Sequence, residues 1–326
     1  MDHETRLDSS GNVVYLGDNL DVMRGLSSGS VPLIYADPPF NTGKVQRRTT
    51  LRTTRSANGD RTGFGGRRYA SVKAGSVEFG DLFDDYLAFL EPRLREMHRL
   101  LAPDGTLYLH LDYREAHYVK VLLDTVFGRE CFLNEVIWAY DYGGRPKNRW
   151  PAKHDNILVY VKDPRSYVFN YDEIERIPYM APGLVGPEKA ARGKLPTDTW
   201  WHTIVATNGK EKTGYPTQKP LAILERIVTA SSRPGDLVLD PFAGSGTAGE
   251  AAHRLRRRFL LIDNARPAVD VMARRLASVP GVSFVGIDGT PDAPRRRRAS
   301  GGRLPAAEAA SPTPSRGESR RAPARR

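Results

Sequence analysis

Two short stretches place reactive residue types at spacings that chemistry can use. The first is Asp37-Pro38-Pro39-Phe40. It follows the apolar run Val31–Ala36, VPLIYA, and so lies where a buried strand ends, the position at which α/β sheets bind ligands. Two prolines fix φ and restrict the residue ahead of each, so the turn is stiff. It aims two acceptors, the Asp37 carboxylate and the Pro38 carbonyl, with the flat face of Phe40 beside them. That set suits a planar base carrying an exocyclic amine. The ring stacks, its N–H groups are held, and the nitrogen lone pair is turned out of the ring plane. A rigid turn with a capping Asp is the plain alternative.

The second stretch is Leu237–Gly249, LVLDPFAGSGTAG. An apolar strand runs into Asp240, then a glycine-rich turn that opens a helix. Glycines let the backbone approach a ligand, and the free N–H groups at the helix start point at it. Gly244, Gly246 and Gly249 spell G-x-G-x-x-G, and Asp263 ends the next strand, which also fits a dinucleotide fingerprint. Asp240 argues against a pyrophosphate, which it would repel. It suits a cationic ligand without phosphate. S-adenosylmethionine carries a sulfonium, an ammonium and a ribose diol. Asp240 can face the cationic end, and Asp263 can accept from the ribose hydroxyls. A nicotinamide-dependent oxidoreductase would use the same glycines but leaves Asp37–Phe40 without a role. A noncatalytic DNA-binding protein would leave both stretches without one.

Three stretches together resemble the signature of S-adenosylmethionine-dependent DNA amino-methyltransferases: Asp37-Pro38-Pro39-Phe40, then Gly214–Pro220 (GYPTQKP), then Asp240–Gly246 (DPFAGSG). The order, catalytic motif first and cofactor motif last, resembles the circularly permuted β group. The resemblance spans roughly Asn12–Ala277. It implies a Rossmann-like methyltransferase fold and methyl transfer to an exocyclic amine of a flipped-out base in double-stranded DNA, with Asp37, Pro38, Pro39 and Phe40 as the catalytic set. It further implies that Asp18 lies near the cofactor adenine and that Lys219 and Pro220 close over the methionine end. Phe242, Gly244, Gly246, Thr247 and Asp263 complete the cofactor set with Asp240. Lys153-His154-Asp155 resembles the family segment near the flipped base. Ala248 stands where a second Thr is frequent, and Asp263 where Glu is common. Asp at the first motif position resembles the adenine-N6 branch, whereas the cytosine-N4 branch more often has Ser there. The family admits a homodimer and a restriction partner subunit. No metal is needed, because a cationic sulfonium requires no strong nucleophile.

The elements that must position these residues alternate along the chain. Asn12–Leu16, Val31–Ala36, Thr106–His110, Leu133–Trp138, Asn156–Val161, Leu237–Asp240 and Phe259–Ile262 read as strands, with Val282–Val285 as a last one. Leu82–Leu101, Tyr113–Phe127, Pro216–Ser232 and Ala265–Ala277 read as helices. This alternation predicts an α/β doubly wound, mostly parallel sheet. Two segments break it. Lys44–Val77 has no apolar period, nine basic residues and one acid, Asp60. It is expected as a mobile basic loop supplying phosphate contacts, or as a passive insertion. Asp172–Lys212 is expected as an inserted target-recognition region. Its Trp200-Trp201 pair reads either as core or as a wedge into DNA. For His110 and His154, structural and catalytic roles are both open.

Composition bounds the rest. The formal charge of +11 invites a polyanion. Thr290–Arg326 holds ten Arg and three acids with no hydrophobic period, so 290–326 is expected as a disordered basic tail after a methyltransferase domain spanning 1–289. A solubilising extension and a DNA-binding arm are equal readings of that tail. The single Cys131 excludes an intramolecular disulfide framework. No apolar run reaches the ~18 residues of a membrane span and the N-terminus lacks a signal-peptide pattern, which predicts a cytoplasmic, nucleoid-associated protein.

Overall fold

The computed structural model describes residues 11–41, 44–55, 61–62, 68–81, 83, 85–206 and 209–286. The tail 290–326 lies outside the described residues. In chain order the elements are β1 (Asn12–Leu16), α1 (Asn19–Arg24), β2 (Val31–Ala36), β3 (Lys44–Arg55), β4 (Arg61–Thr62), β5 (Arg68–Asp81), α2 (Tyr86–Leu100), β6 (Leu101–Asp112), α3 (Ala116–Phe127), β7 (Phe132–Ala139), β8 (His154–Val161), α4 (Pro187–Arg192), β9 (Thr199–Trp201), α5 (Leu221–Ser231), β10 (Leu237–Asp240), α6 (Thr247–Arg254), β11 (Arg258–Asp263), α7 (Arg266–Arg275) and β12 (Val282–Gly286).

Nine strands form one sheet in the order β12-β1-β11-β10-β2-β6-β8-β7-β9. From β12 to β6 every neighbour is parallel. Only β8 runs against its neighbours β6 and β7. The parallel strands are apolar on both sides, as strands covered on both faces must be. Residues of β2 alternate between the two covers. Leu33 and Tyr35 pack under α5, α6 and α7, while Ile34 and Ala36 pack under α1, α2 and α3. The result is the expected doubly wound α/β architecture. The chain winds outward in opposite directions from β10 and β2, so a crevice opens between their carboxyl ends.

Two readings are corrected. Lys44–Val77 is not without regular structure. β3 and β5 pair antiparallel from Lys44↔Asp81 to Arg55↔Tyr69, and β4 joins β5. The hairpin escaped detection because its sequence, rich in Arg, Thr and Ser, carries no sustained apolar alternation. Its Thr and Val content nevertheless favours extended backbone. The expected helix Leu82–Leu101 runs only over Tyr86–Leu100, capped by Asp85, whose side chain accepts from Ala88 N at 2.9 Å. The chain passes directly into β6, so Pro103-Asp104-Gly105 falls inside a strand, where the register with β2 shifts. Asp172–Lys212 contributes one strand to the large sheet. β9 is its edge strand, paired parallel with β7. The two-residue period of a strand turns Trp200 inward, 9% exposed, and leaves Trp201 77% exposed. The core reading of the pair therefore holds for Trp200 alone.

Candidate active site

The parallel strands line up a row of carboxylates. Asp18, Asp263, Asp240 and Asp37 lie at or just beyond the carboxyl ends of β1, β11, β10 and β2, which are consecutive in the sheet. Neighbouring strands are about 4.8 Å apart, so this edge concentrates negative charge. A cavity of about 350 Å³ opens there, within the roughly 300–1,000 Å³ common for ligand sites. Eleven of the thirteen expected site residues line it: Asp18, Asp37, Pro38, Pro39, Phe40, Lys219, Asp240, Phe242, Gly244, Thr247 and Asp263. Pro220 and Gly246 do not. Pro220 caps α5 and Gly246 caps α6.

The glycine turn is held from below. Asp263 accepts from Gly244 N at 2.8 Å and from Ala265 N at 2.9 Å. Gly246 has φ +72°, and a Cβ there would lie 2.8 Å from Met272 Cγ. Gly244 has φ +49°, and a Cβ would lie 3.0 Å from the Tyr215 ring. The backbone must therefore be glycine to hold this curve against α7 and Tyr215. Thr247 Oγ1 reaches Lys219 O at 3.3 Å and also accepts from Arg275 at 2.5 Å, tying α6 to the GYPTQKP segment. Gln218 braces that segment by accepting from Thr213 N at 2.9 Å and donating to Glu211 O at 2.8 Å.

Burial raises the Asp240 carboxyl well above its ordinary range, and the charges of Asp37 and Asp263 push the same way. The Phe242 N–H and Lys219 oppose the rise. Burial likewise raises Asp263, against the two backbone N–H groups it accepts. A site that holds buried acids above their normal pKa favours a cation. A cation of the chain itself stands in it. Lys219 Nζ lies 2.5 Å from Asp37 Oδ2 and 4.8 Å from the centre of the Phe40 ring. It thus contacts both the acceptor and the stacking face of the first motif.

Behind Phe40 lies a buried polar chain. The His110 ring, fully buried, is 5.8 Å from the Phe40 ring. Tyr35 Oη is 2.8 Å from His110 Nδ1, and His110 Nε2 is 3.1 Å from Asp155 Oδ2. Burial raises the Tyr35 phenol well above its normal pKa, so it keeps its proton. The placement that satisfies all partners has Tyr35 donating to Nδ1 and Nε2–H donating to Asp155. Tyr140 Oη also donates to Asp155, at 2.9 Å. Burial alone would raise Asp155, but His110, Lys219 and Tyr140 outweigh it and leave this carboxyl lowered. His110 therefore links the Phe40 ring to Asp155. His154 begins β8 beside Tyr113, with ring centres 6.3 Å apart.

Sequence reasoning missed Arg93. It lies on the buried face of α2 with Leu90, Leu94 and Met97. Its guanidinium donates to Asp18 at 3.0 and 3.2 Å and to Asn19 Oδ1 at 2.7 Å, and stacks 4.0 Å from the Phe89 ring centre. Asn19 Nδ2 in turn donates to Pro241 O at 2.8 Å, so Arg93 links the Asp18 turn to the Asp240 turn. A lone Arg on an apolar helix face was the available signal.

The model of the DNA methylase family matches residues 31–274. The type II methyltransferase M.HpaI of Haemophilus parainfluenzae is 30% identical over 259 residues, 79% of this chain and 72% of that protein. The DNA adenine methyltransferase YhdJ of Escherichia coli is 31% identical over 280 residues, 83% of this chain and 85% of that protein. Among solved structures, the M1.HpyAVI–SAM complex is similar with a TM-score of 0.52 at 22% identity, covering 81% of this chain and 98% of that one. The cytosine-N4-specific PvuII DNA methyltransferase gives a TM-score of 0.54 at 17% identity, covering 86% and 98%. At those identities the two structures speak for the fold.

Proposed function

This chain belongs to the DNA methylase family of N6 and N4 amino-methyltransferases, and from that membership we propose that it methylates the exocyclic N6 of adenine at a specific DNA site. The observation that carries the reading is the meeting of Asp37-Pro38-Pro39-Phe40 with the Asp240–Ser245 turn in one cavity. S-adenosylmethionine, when bound, supplies an electrophilic methyl group on a cationic sulfur. The cavity's chemistry fits that cofactor. Asp240 offers a buried carboxyl that a cation draws into its ionised form, Gly244 and Gly246 keep the turn open, and Asp18 and Asp263 supply acceptors along the same edge.

The base leaves the duplex before reaction, since its amine is otherwise paired and stacked. Phe40 stacks on it, and Asp37 and the Pro38 carbonyl accept from its amine. Lys219 withdraws from both, because its ammonium occupies the acceptor and the ring face that the base needs. Asp37 Oδ2 is then the nearest acceptor for the proton the nitrogen sheds. Orientation of the nitrogen supplies much of the rate. The brace of Tyr35, His110 and Asp155 holds the Phe40 ring in place. The hairpin of β3 and β5, rooted directly after the first motif, brings its basic residues to the phosphates, while the exposed part of 172–212 reads the target. The protein works in the cytoplasm beside the nucleoid, where its substrate is.

Adenine is favoured over cytosine by Asp37 at the first motif position and by the adenine methyltransferase relative from Escherichia coli. The test is modification-sensitive sequencing of DNA from a host expressing the protein. N6-methyladenine at one recurring site is expected. N4-methylcytosine would replace the base assignment, and unmodified DNA would refute the function.

A further inference from the structure

We infer that the loop joining β7 to β8, residues 140–153, grips the DNA duplex and inserts Trp150 into the gap left by the extruded base. The inference rests on the methyltransferase reading above.

The loop leaves the sheet beside the base subsite. Ala139 pairs with His154, and Asp155 pairs across the sheet with Asp112 at the end of β6. Asp155 also bonds His110, whose ring contacts Phe40. The loop's root is firmly held. Lys153 Nζ donates to the carbonyls of Tyr142, Gly143 and Gly144 at 2.5, 2.9 and 3.2 Å, and Tyr140 N donates to Lys153 O at 2.9 Å. Pro146 and Pro151 restrict the backbone further along.

The outer part faces solvent throughout, and its chemistry matches a nucleic acid. Arg145, Lys147 and Arg149 stand against a single acid, Asp141, which pairs with Arg145 at 2.6 Å. Between these cations and Pro151, Trp150 is 94% exposed. An indole left almost wholly in water, on a braced loop among cations, lacks any role in folding. It has the properties of a stacking wedge: a large flat face carried to the phosphate backbone by neighbouring charges. Trp150 touches none of the groups assigned to the cofactor or the amine, so its role lies in holding the base out.

The test uses the full chain, with duplexes carrying the target site. Trp150→Ala is expected to melt within about 2 °C of the wild type, because its side chain packs against nothing. On a fully paired target, its single-turnover methylation should slow about ten- to hundredfold, the range set by loss of one aromatic–base stack. On the same duplex with an abasic position opposite the target base, where no pair must be broken, its rate should return to within threefold of the wild type. Equal slowing on both duplexes, or no slowing on either, overturns the inference. Arg145→Ala/Lys147→Ala/Arg149→Ala should weaken binding to both duplexes and reduce the salt slope by about three. An unchanged slope also counts against the loop. If the wild-type protein transfers no methyl group to DNA, the methyltransferase reading fails and this inference with it. A wild type that methylates DNA, with a Trp150→Ala variant indifferent to base pairing, defeats the inference alone.

Discussion

Removing the Asp37 carboxylate separates the two halves of the site. In the free protein Asp37 and Lys219 form an ion pair, with side chains 16% and 9% exposed. Breaking a buried pair by deleting one partner costs about 3–5 kcal/mol. For Asp37→Ala the lower end applies, since Lys219 keeps the attraction of Asp155 and Asp240. A loss near ~3 kcal/mol lowers the melting temperature of a domain this size by roughly 6–12 °C, so the variant stays folded at 25 °C. Catalysis loses more. A preorganised group facing developing charge contributes about 10²–10³ in rate. Misplacing the reacting atom by about 1 Å loses another ~10². Together the expected fall in the single-turnover rate is about 10⁴- to 10⁵-fold at saturating cofactor. Cofactor binding behaves differently. Asp240 loses the repulsion of Asp37 and ionises more readily, which offsets the lost negative charge, so the Kd for S-adenosylmethionine should stay within about tenfold. The assay pairs transfer of a labelled methyl group to DNA with calorimetric titration of the cofactor. Transfer within threefold of the wild-type rate would refute the role of Asp37. Parallel loss of cofactor binding and transfer would move Asp37 into the cofactor half.

Three further outcomes follow from the same geometry. Asp240 is raised by burial in the free protein, and a cationic ligand requires it ionised. Cofactor affinity should therefore climb with pH up to the raised pKa and level off above it, with proton release seen as a dependence on buffer ionisation enthalpy. The free protein has the opposite slope, losing the Asp240 contribution as pH rises through the folded value; Asp240→Asn should flatten both, and a slope that persists in it would contradict the assignment. Gly246→Ala forces a left-handed residue and places Cβ 2.8 Å from Met272 Cγ, which costs about 2–4 kcal/mol. A melting temperature within 2 °C of the wild type would show that the turn relaxes freely. Deleting 290–326 removes ten Arg and three acids, so binding to DNA should weaken at low salt while the methylated site stays the same; a changed site would give the tail a part in recognition.

The halves of the site could be read from sequence because each is local. VPLIYA, LVLD and FLLI are apolar on both faces, as central parallel strands must be, and each closes on an acid. What required the fold were pairings across long separations. Lys219 meets Asp37, and Arg93 meets Asp18 and Asn19, through contacts that no periodicity encodes. Strand direction was equally hidden, since the apolar run in β8 reads the same whether it lies with β6 or against it. The hairpin of β3 and β5 went unseen because its sequence carries no sustained apolar alternation. The partners of the two His110 nitrogens, Tyr35 and Asp155, were hidden in the same way as those of Lys219 and Arg93.

The position of β1 bears on the order in which the molecule forms. This first strand is hydrogen-bonded on one side to β11 and on the other to β12, both more than 240 residues later in the chain. β2 likewise finds its inner neighbour only in β10. During synthesis, β1 and one edge of β2 have no partners until the last third of the chain has left the ribosome. Pairings of such long separation form slowly, and unpaired apolar edges invite association with other chains. The pocket is thus completed only with the arrival of β10 and β11, and a nascent chain halted before β10 carries the Asp37–Phe40 turn without the Asp240 turn that faces it. Growth conditions that slow translation or raise temperature should therefore first lower the yield of folded enzyme, before any change in its chemistry.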